Sequence, residues 1–168
     1  MKNMKRRNKW AIFGFFGVIL IMVILFHSSS QPYSQQSLVP TIEKLLPGHP
    51  FESQLEKIAF PYGGSEVSVK QMGYAKFLEF FLRKGAHFLT YFIMGLCLFV
   101  GTNATSRKPR FAFLVAALLS LAFAASDEFH QMLTGDRTPL VQDVLLDFIG
   151  AICGALVGSR FSKKYFIK

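Results

Sequence analysis

Residues 10–26 read WAIFGFFGVILIMVILF, seventeen residues without a charge or a strong hydrogen-bonding side chain other than the indole of Trp10. A run of this length matches the ~17–25 residues that a helix needs to cross a bilayer. Three further runs follow the same pattern. Residues 85–101 are interrupted only by His87, Thr90 and Tyr91; residues 111–125 only by Ser120; residues 140–158 only by Gln142, Asp143 and Asp147. The third run is fifteen residues and must either borrow flanking residues or pack in a thinned region of the membrane. In hydrocarbon a backbone N–H or C=O has no water to bond, so each run must be helical. The sequence therefore predicts an all-α integral membrane bundle of about four helices. The spans fall at about 10–26, 85–101, 111–128 and 140–158, in one domain covering 1–168.

Composition agrees. The 168 residues are 51% hydrophobic and include 19 Phe, more apolar surface than a soluble domain of this size can bury. The net charge of +9 is placed in a way that argues against nucleic acid. Lys2, Lys5, Arg6, Arg7 and Lys9 precede the first run. Arg107, Lys108 and Arg110 separate the second from the third, and Arg160, Lys163, Lys164 and Lys168 end the chain. These twelve cations are accompanied by no acid, and all ten acids lie elsewhere. The positive-inside rule then puts both termini and residues 102–110 in the cytoplasm, and residues 27–84 and 126–139 outside. The chain is therefore expected to be a multi-pass membrane protein. The first run exceeds the usual signal-peptide core and no A-x-A site follows it, so it reads as an uncleaved span.

The segment 27–84 is expected to be a mostly irregular extracytoplasmic loop carrying short helices. Thr41–Leu46 reads as one, and Phe51–Phe60 as an amphipathic one lying on the membrane surface. Pro61–Gly64 reads as a turn, and the chain is helical again from about Tyr74 into the second span. Thr138 and Pro139 suit the cap and first position of the last helix. Gly150, Gly154 and Gly158 form a small-residue stripe for close helix packing. Cys97 and Cys153 lie in spans and read as packing residues.

This topology brings three polar helix ends to one depth. The second span contributes Arg83, Lys84, His87 and Tyr91, with Arg83, His87 and Tyr91 on one face. The third ends in Ser126, Asp127, Glu128, His130 and Gln131. The connection and the last span add Asp136, Arg137, Asp143 and Asp147. An intramembrane carboxylate costs roughly 2.5–3.5 kcal/mol on insertion scales unless it is paired or hydrated. His87, Arg83, Lys84 and Arg137 are the available partners.

Two stretches resemble a known family. RKGAHFLTYFIMG, residues 83–95, is similar to the K-x-x-H-F-x-x-Y pattern of the VanZ-like membrane proteins associated with teicoplanin resistance. SDEFHQMLTGDRTPLVQDVLLDFIGAICG, residues 126–154, resembles that family's S-D-E-x-x-Q…R…D…N/D-x-x-G signature. The matching positions are Lys84, His87, Phe88, Tyr91, Ser126, Asp127, Glu128, Gln131, Arg137, Asp143 and Gly150. Asp147 stands where the family often has Asn. The resemblance spans roughly residues 10–158 and implies an effect on susceptibility to teicoplanin-type glycopeptides.

Three classes of function remain open. In a binding protein, Arg83, Lys84 and Arg137 supply charge to an anionic or polar headgroup, Asp127, Glu128, Gln131 and Asp143 orient those cations or accept ligand donors, and Tyr91 and Ser126 complete the ligand-binding set. The partners are then membrane lipids, a lipid-linked cell-wall precursor or a lipophilic glycopeptide. In an enzyme, His87 with Glu128 or Asp143 forms a general acid–base pair acting on a lipid-linked substrate. A metal site built from His87, Glu128, His130 and Asp143 is disfavoured, because the E-x-H spacing splits its side chains between helix faces and no HExxH pattern exists. No cofactor is expected. In a scaffold, the same polar residues only hold the helices together.

Overall fold

A computed structural model of the chain describes residues 2–134 and 139–165. Four helices are long and apolar enough to cross a membrane. They are α1 (Lys2–Ser29), α6 (Tyr74–Ser106), α7 (Pro109–Thr134) and α8 (Val141–Tyr165). Between α1 and α6 lie α2 (Tyr33–Gln36), α3 (Val39–Leu45), α4 (Glu52–Leu55), β1 (Ala59–Tyr62), β2 (Ser65–Ser68) and α5 (Val69–Met72). The protein is an all-α membrane bundle with one small hairpin beside it. The third span recruits flanking residues and becomes a full-length helix.

Helix α6 is the centre of the bundle and packs most extensively on α8. The glycine stripe makes that approach possible. A Cβ at Gly154 would lie 1.8 Å from the Phe92 carbonyl oxygen, and one at Gly150 2.5 Å from that of Phe88. From the other side, a Cβ at Gly95 would lie 2.0 Å from the Ala151 carbonyl oxygen. No side chain fits between these backbones. Around the seam, Tyr91, Met94 and Phe99 of α6 pack with Ala112, Ala116 and Ala124 of α7 and with Ala151 and Ala155 of α8. Apolar residues on the opposite faces, among them Phe13, Phe16, Leu114, Leu118, Leu145 and Ile149, are exposed, as a lipid-facing surface requires.

Polar contacts fasten the two ends. At one, Arg7 donates to the Ala104 carbonyl at 2.5 Å, and Asn103 donates to Ser162. At the other, Ser29 donates to Asp127 at 2.5 Å and Thr134 to the Ser29 carbonyl at 2.6 Å. Above this second end sits a small layer with its own core of Ile42, Val67, Val69, Tyr74, Ala75 and Phe77.

That layer carries the short helices expected, with α3 over most of Thr41–Leu46, and adds a hairpin that was not. The helix expected over Phe51–Phe60 is limited to Glu52–Leu55, and Phe60 lies in β1. Phe51 is left-handed at φ 64° and 74% exposed, so it covers solvent or membrane surface rather than a helix face. The turn expected over Pro61–Gly64 is shorter. Pro61 and Tyr62 belong to the antiparallel pair, with Tyr62 opposite Ser65, and only Gly63 and Gly64 turn the chain. Both have positive φ, which a two-residue hairpin loop of this hand demands and glycine supplies without strain. The last helix begins at Val141, so Pro139 precedes it rather than opening it; Thr138 lies outside the described residues.

Candidate functional site

Glycine packing between α6 and α8 fixes which side chains meet at the loop end. With Gly150 against Phe88, His87 comes level with Asp147, and its Nδ1 lies 3.3 Å from Asp147 Oδ2. His87 thus pairs with Asp147 rather than with Glu128 or Asp143. Asp147 is 4% exposed, and its second oxygen, Oδ1, is buried with no hydrogen-bond partner among the described residues.

One helical turn nearer the loop, Asp143 receives two donors. Lys84 Nζ and the Tyr62 hydroxyl each lie 2.5 Å from Asp143 Oδ1. The lysine ammonium also sits 5.0 Å above the Tyr62 ring and 5.5 Å from that of Phe80. Burial first, then the bond to Asp143, push the Tyr62 phenol above its ordinary range, so it stays a donor. Tyr62 therefore latches the hairpin onto α8. Glu128, from α7, accepts the backbone N–H of Leu140 at 2.8 Å and has no cation within ion-pair distance among the described residues.

The opposite wall is built on Glu79 and Arg83. Glu79 is almost fully buried and accepts from the Tyr33 hydroxyl and the Leu38 N–H, both at 2.7 Å. The Arg83 guanidinium lies 4.8 Å over the Tyr33 ring, and its Nη1 is buried without a hydrogen-bond partner among the described residues. Burial and the neighbouring Glu79 raise the Tyr33 phenol above its usual value.

These walls enclose an open cavity of about 380 Å³. Arg83, Lys84, His87, Glu128, Gln131, Asp143 and Asp147 line it, with Lys76 and Glu79 toward the loop layer. The remaining sequence-selected residues are placed elsewhere. Asp127 is buried in a bond network with Ser29 and with Gln131, which donates to it at 3.0 Å. That cluster ties α7 to α1. Ser126 is exposed and outside the lining. Tyr91 lies one turn below His87, fully buried, outside the lining and with its hydroxyl unpartnered among the described residues. His130 faces Ser30 at 3.0 Å and stacks near Phe26, away from Asp143. Arg137 and Asp136 lie outside the described residues. Cys97 packs against α1, where a Cβ at Gly17 would come within 2.8 Å of its sulfur.

The sequence profile of the VanZ/LLP1 family matches residues 13–162, from within α1 to the last turn of α8. The chain belongs to the VanZ/LLP1 family. It is a VanZ-type multi-pass membrane protein, and the match takes in every residue lining the cavity. No curated protein and no solved structure matches it.

Glu79, Tyr33 and Tyr62 escaped the sequence reading of this VanZ-type chain. Glu79 sits one turn above Arg83, so extending the Arg83–His87–Tyr91 stripe upward finds it. Asp147 was visible as an intramembrane acid, but its partner depends on helix register. Tyr33 and Tyr62 reach the site only through the fold of the loop layer, and nothing in their local sequence marks them.

Proposed function

We propose that this VanZ-type protein binds the polar headgroup of a membrane lipid or lipid-linked envelope molecule in the cavity between α6, α7 and α8. The observation that carries this reading is the cavity itself. A space of about 380 Å³, within the range of small-ligand sites, opens at the boundary between the apolar belt and the polar loop layer and is lined by ionisable side chains. A purely structural cluster gains nothing from such a void, since unfilled polar space leaves donors and acceptors unmet. The acid-free basic segments support an orientation with this cavity at the extracytoplasmic face of a bacterial cytoplasmic membrane and both termini inside. There the bound molecule is an envelope lipid, a lipid-linked cell-wall precursor or a lipophilic glycopeptide of the teicoplanin type. Through that binding the protein alters envelope lipid chemistry or glycopeptide susceptibility.

The test compares Arg83→Ala and His87→Ala with wild type at matched membrane abundance, measuring co-purified lipid and glycopeptide susceptibility together. Loss of a specific lipid alongside the susceptibility effect supports the reading. Unchanged lipid content in both variants refutes it.

One observation favours a second reading, a hydrolase or transferase. His87 and Asp147 form a buried pair at the cavity floor, and Glu128 faces the same space without a cation within ion-pair distance. A histidine held by a carboxylate is the ordinary arrangement of a general base. Here Asp147, not Glu128 or Asp143, orients the ring, and Glu128 is the candidate second proton carrier. Headgroup release from labelled lipid by wild type, absent in Glu128→Gln and His87→Ala, supports this reading.

A further inference from the structure

Building on the headgroup reading, we infer that the cavity takes a phosphate bearing a primary ammonium on a short arm, the chemistry of an ethanolamine phosphate headgroup. Two unmet groups of opposite kind carry this. Arg83 Nη1 is a buried donor without an acceptor, and Asp147 Oδ1 is a buried acceptor without a donor, among the described residues. Both residues line the same cavity. A ligand satisfying both must present an acceptor to one and a donor to the other.

The charge of the lining excludes a simple anion site. Lys76, Arg83 and Lys84 line the cavity together with Glu79, Glu128, Asp143 and Asp147. Lys84 is already committed to Asp143, and His87 to Asp147. A bare phosphate near Arg83 would sit beside carboxylates and leave Asp147 Oδ1 unsatisfied. An ammonium placed toward Asp147 and Glu128 removes both penalties, donating N–H to oxygens that have spare lone pairs.

Arg83 and His87 are one turn apart on α6 and Asp147 is paired with His87, so the residues carrying the two unmet groups are near neighbours around the cavity. A trimethylated amine has no N–H to give Asp147, so choline is excluded by the same oxygen. The aromatic rings at the site, Tyr33 and Tyr62, are already stacked under Arg83 and Lys84.

The experiment uses the full chain in detergent and measures binding of short-chain phosphatidylethanolamine, phosphatidylcholine, phosphatidylglycerol and a monoglucosyl diacylglycerol, with free ethanolamine phosphate as a soluble competitor. The expected result is a preference for phosphatidylethanolamine of about tenfold or more, the worth of one hydrogen bond between charged groups. Asp147→Asn should abolish that preference while retaining residual phosphatidylglycerol binding. Glu128→Gln, which leaves the His87–Asp147 pair in place, should reduce the preference in part. Competition by free ethanolamine phosphate as strong as the lipid's own binding would uphold this chemistry and refute the lipid reading. Equal binding of phosphatidylglycerol, or tighter binding of the glucosyl lipid, would overturn the inference and leave the headgroup reading standing. Binding of none of these probes would overturn the inference.

Discussion

Asp147 uses one carboxylate oxygen to hold His87, 3.3 Å away, and turns the other into the cavity wall with no partner among the described residues. A fully buried acid that is only half satisfied is costly in a membrane helix, and the helix keeps it in its packing face. Removing the carboxylate leaves His87 without its partner. Asp147→Ala is expected to lower stability by about 1–3 kcal/mol, read as a fall in the thermal unfolding midpoint in detergent. Asp147→Asn keeps the shape and one acceptor and should unfold close to wild type while losing ligand preference. Equal midpoints for all three proteins would show that the pair does not act as described.

The α6–α8 contact should be intolerant of a single methyl group. At Gly154 the added Cβ meets backbone, which cannot rotate away, so Gly154→Ala should cost about 1–3 kcal/mol or more and reduce membrane abundance. Gly48, with open space around it, is the control, and Gly48→Ala should change stability by no more than about 0.5 kcal/mol. Abundance and thermal midpoint of the two variants, measured side by side, check this.

Tyr62 joins the hairpin to the membrane helices through one hydroxyl. Tyr62→Phe keeps the ring beneath Lys84 and deletes the bond to Asp143, so hydrogen exchange of residues 59–68 should quicken while the four long helices stay protected. The phenol's folded-state pKa is raised, so this bond contributes fully below the unfolded phenol value of about 10 and is lost as pH rises above it. Exchange protection of the wild-type hairpin should therefore show no contribution from this tyrosine's titration between about pH 6 and 9. Loss of hairpin protection that follows Tyr62 ionisation within that window would contradict the latch.

Orientation is testable independently of ligand. In a background lacking Cys97 and Cys153, a cysteine at Ser106 should resist labelling by a membrane-impermeant maleimide on intact cells, and one at Ser53 should label. Labelling at position 106 from outside would reverse the topology and place the cavity at the cytoplasmic face.

Much of this was legible beforehand because hydrocarbon allows so little choice. An uncharged run such as Trp10–Phe26 has only one stable backbone conformation there. Depth was legible too, which is why Lys84, His87, Glu128 and Asp143 all meet at one cavity. Rotation was not. Asp143 and Asp147 share a face of α8 one turn apart, and which of them meets His87 is decided by how Gly150 packs against the Phe88 backbone, which no local pattern encodes. Asp127 looked like a site residue for its neighbours' sake, yet its bonds go to Ser29 and Gln131. The hairpin is a different omission. Gly63–Gly64 between FPY and SEV is a recognised two-residue turn signal, and the apolar spacing of Phe51, Leu55 and Ile58 outweighed it.

The central claim, that the α6–α7–α8 cavity holds a lipid headgroup, is tested most directly by crosslinking from inside it. A photoreactive benzoylphenylalanine at Leu146, which lines the cavity, is compared with one at Leu118, which is exposed on the lipid-facing side of α7. After irradiation of membranes, the lipids attached at each position are identified by mass spectrometry. Position 146 should capture one headgroup class well above its share of the membrane, and that enrichment should disappear in Arg83→Ala, whereas position 118 should mirror the bulk. Lipids at position 146 matching the bulk composition, or no lipid there at all, would contradict the account.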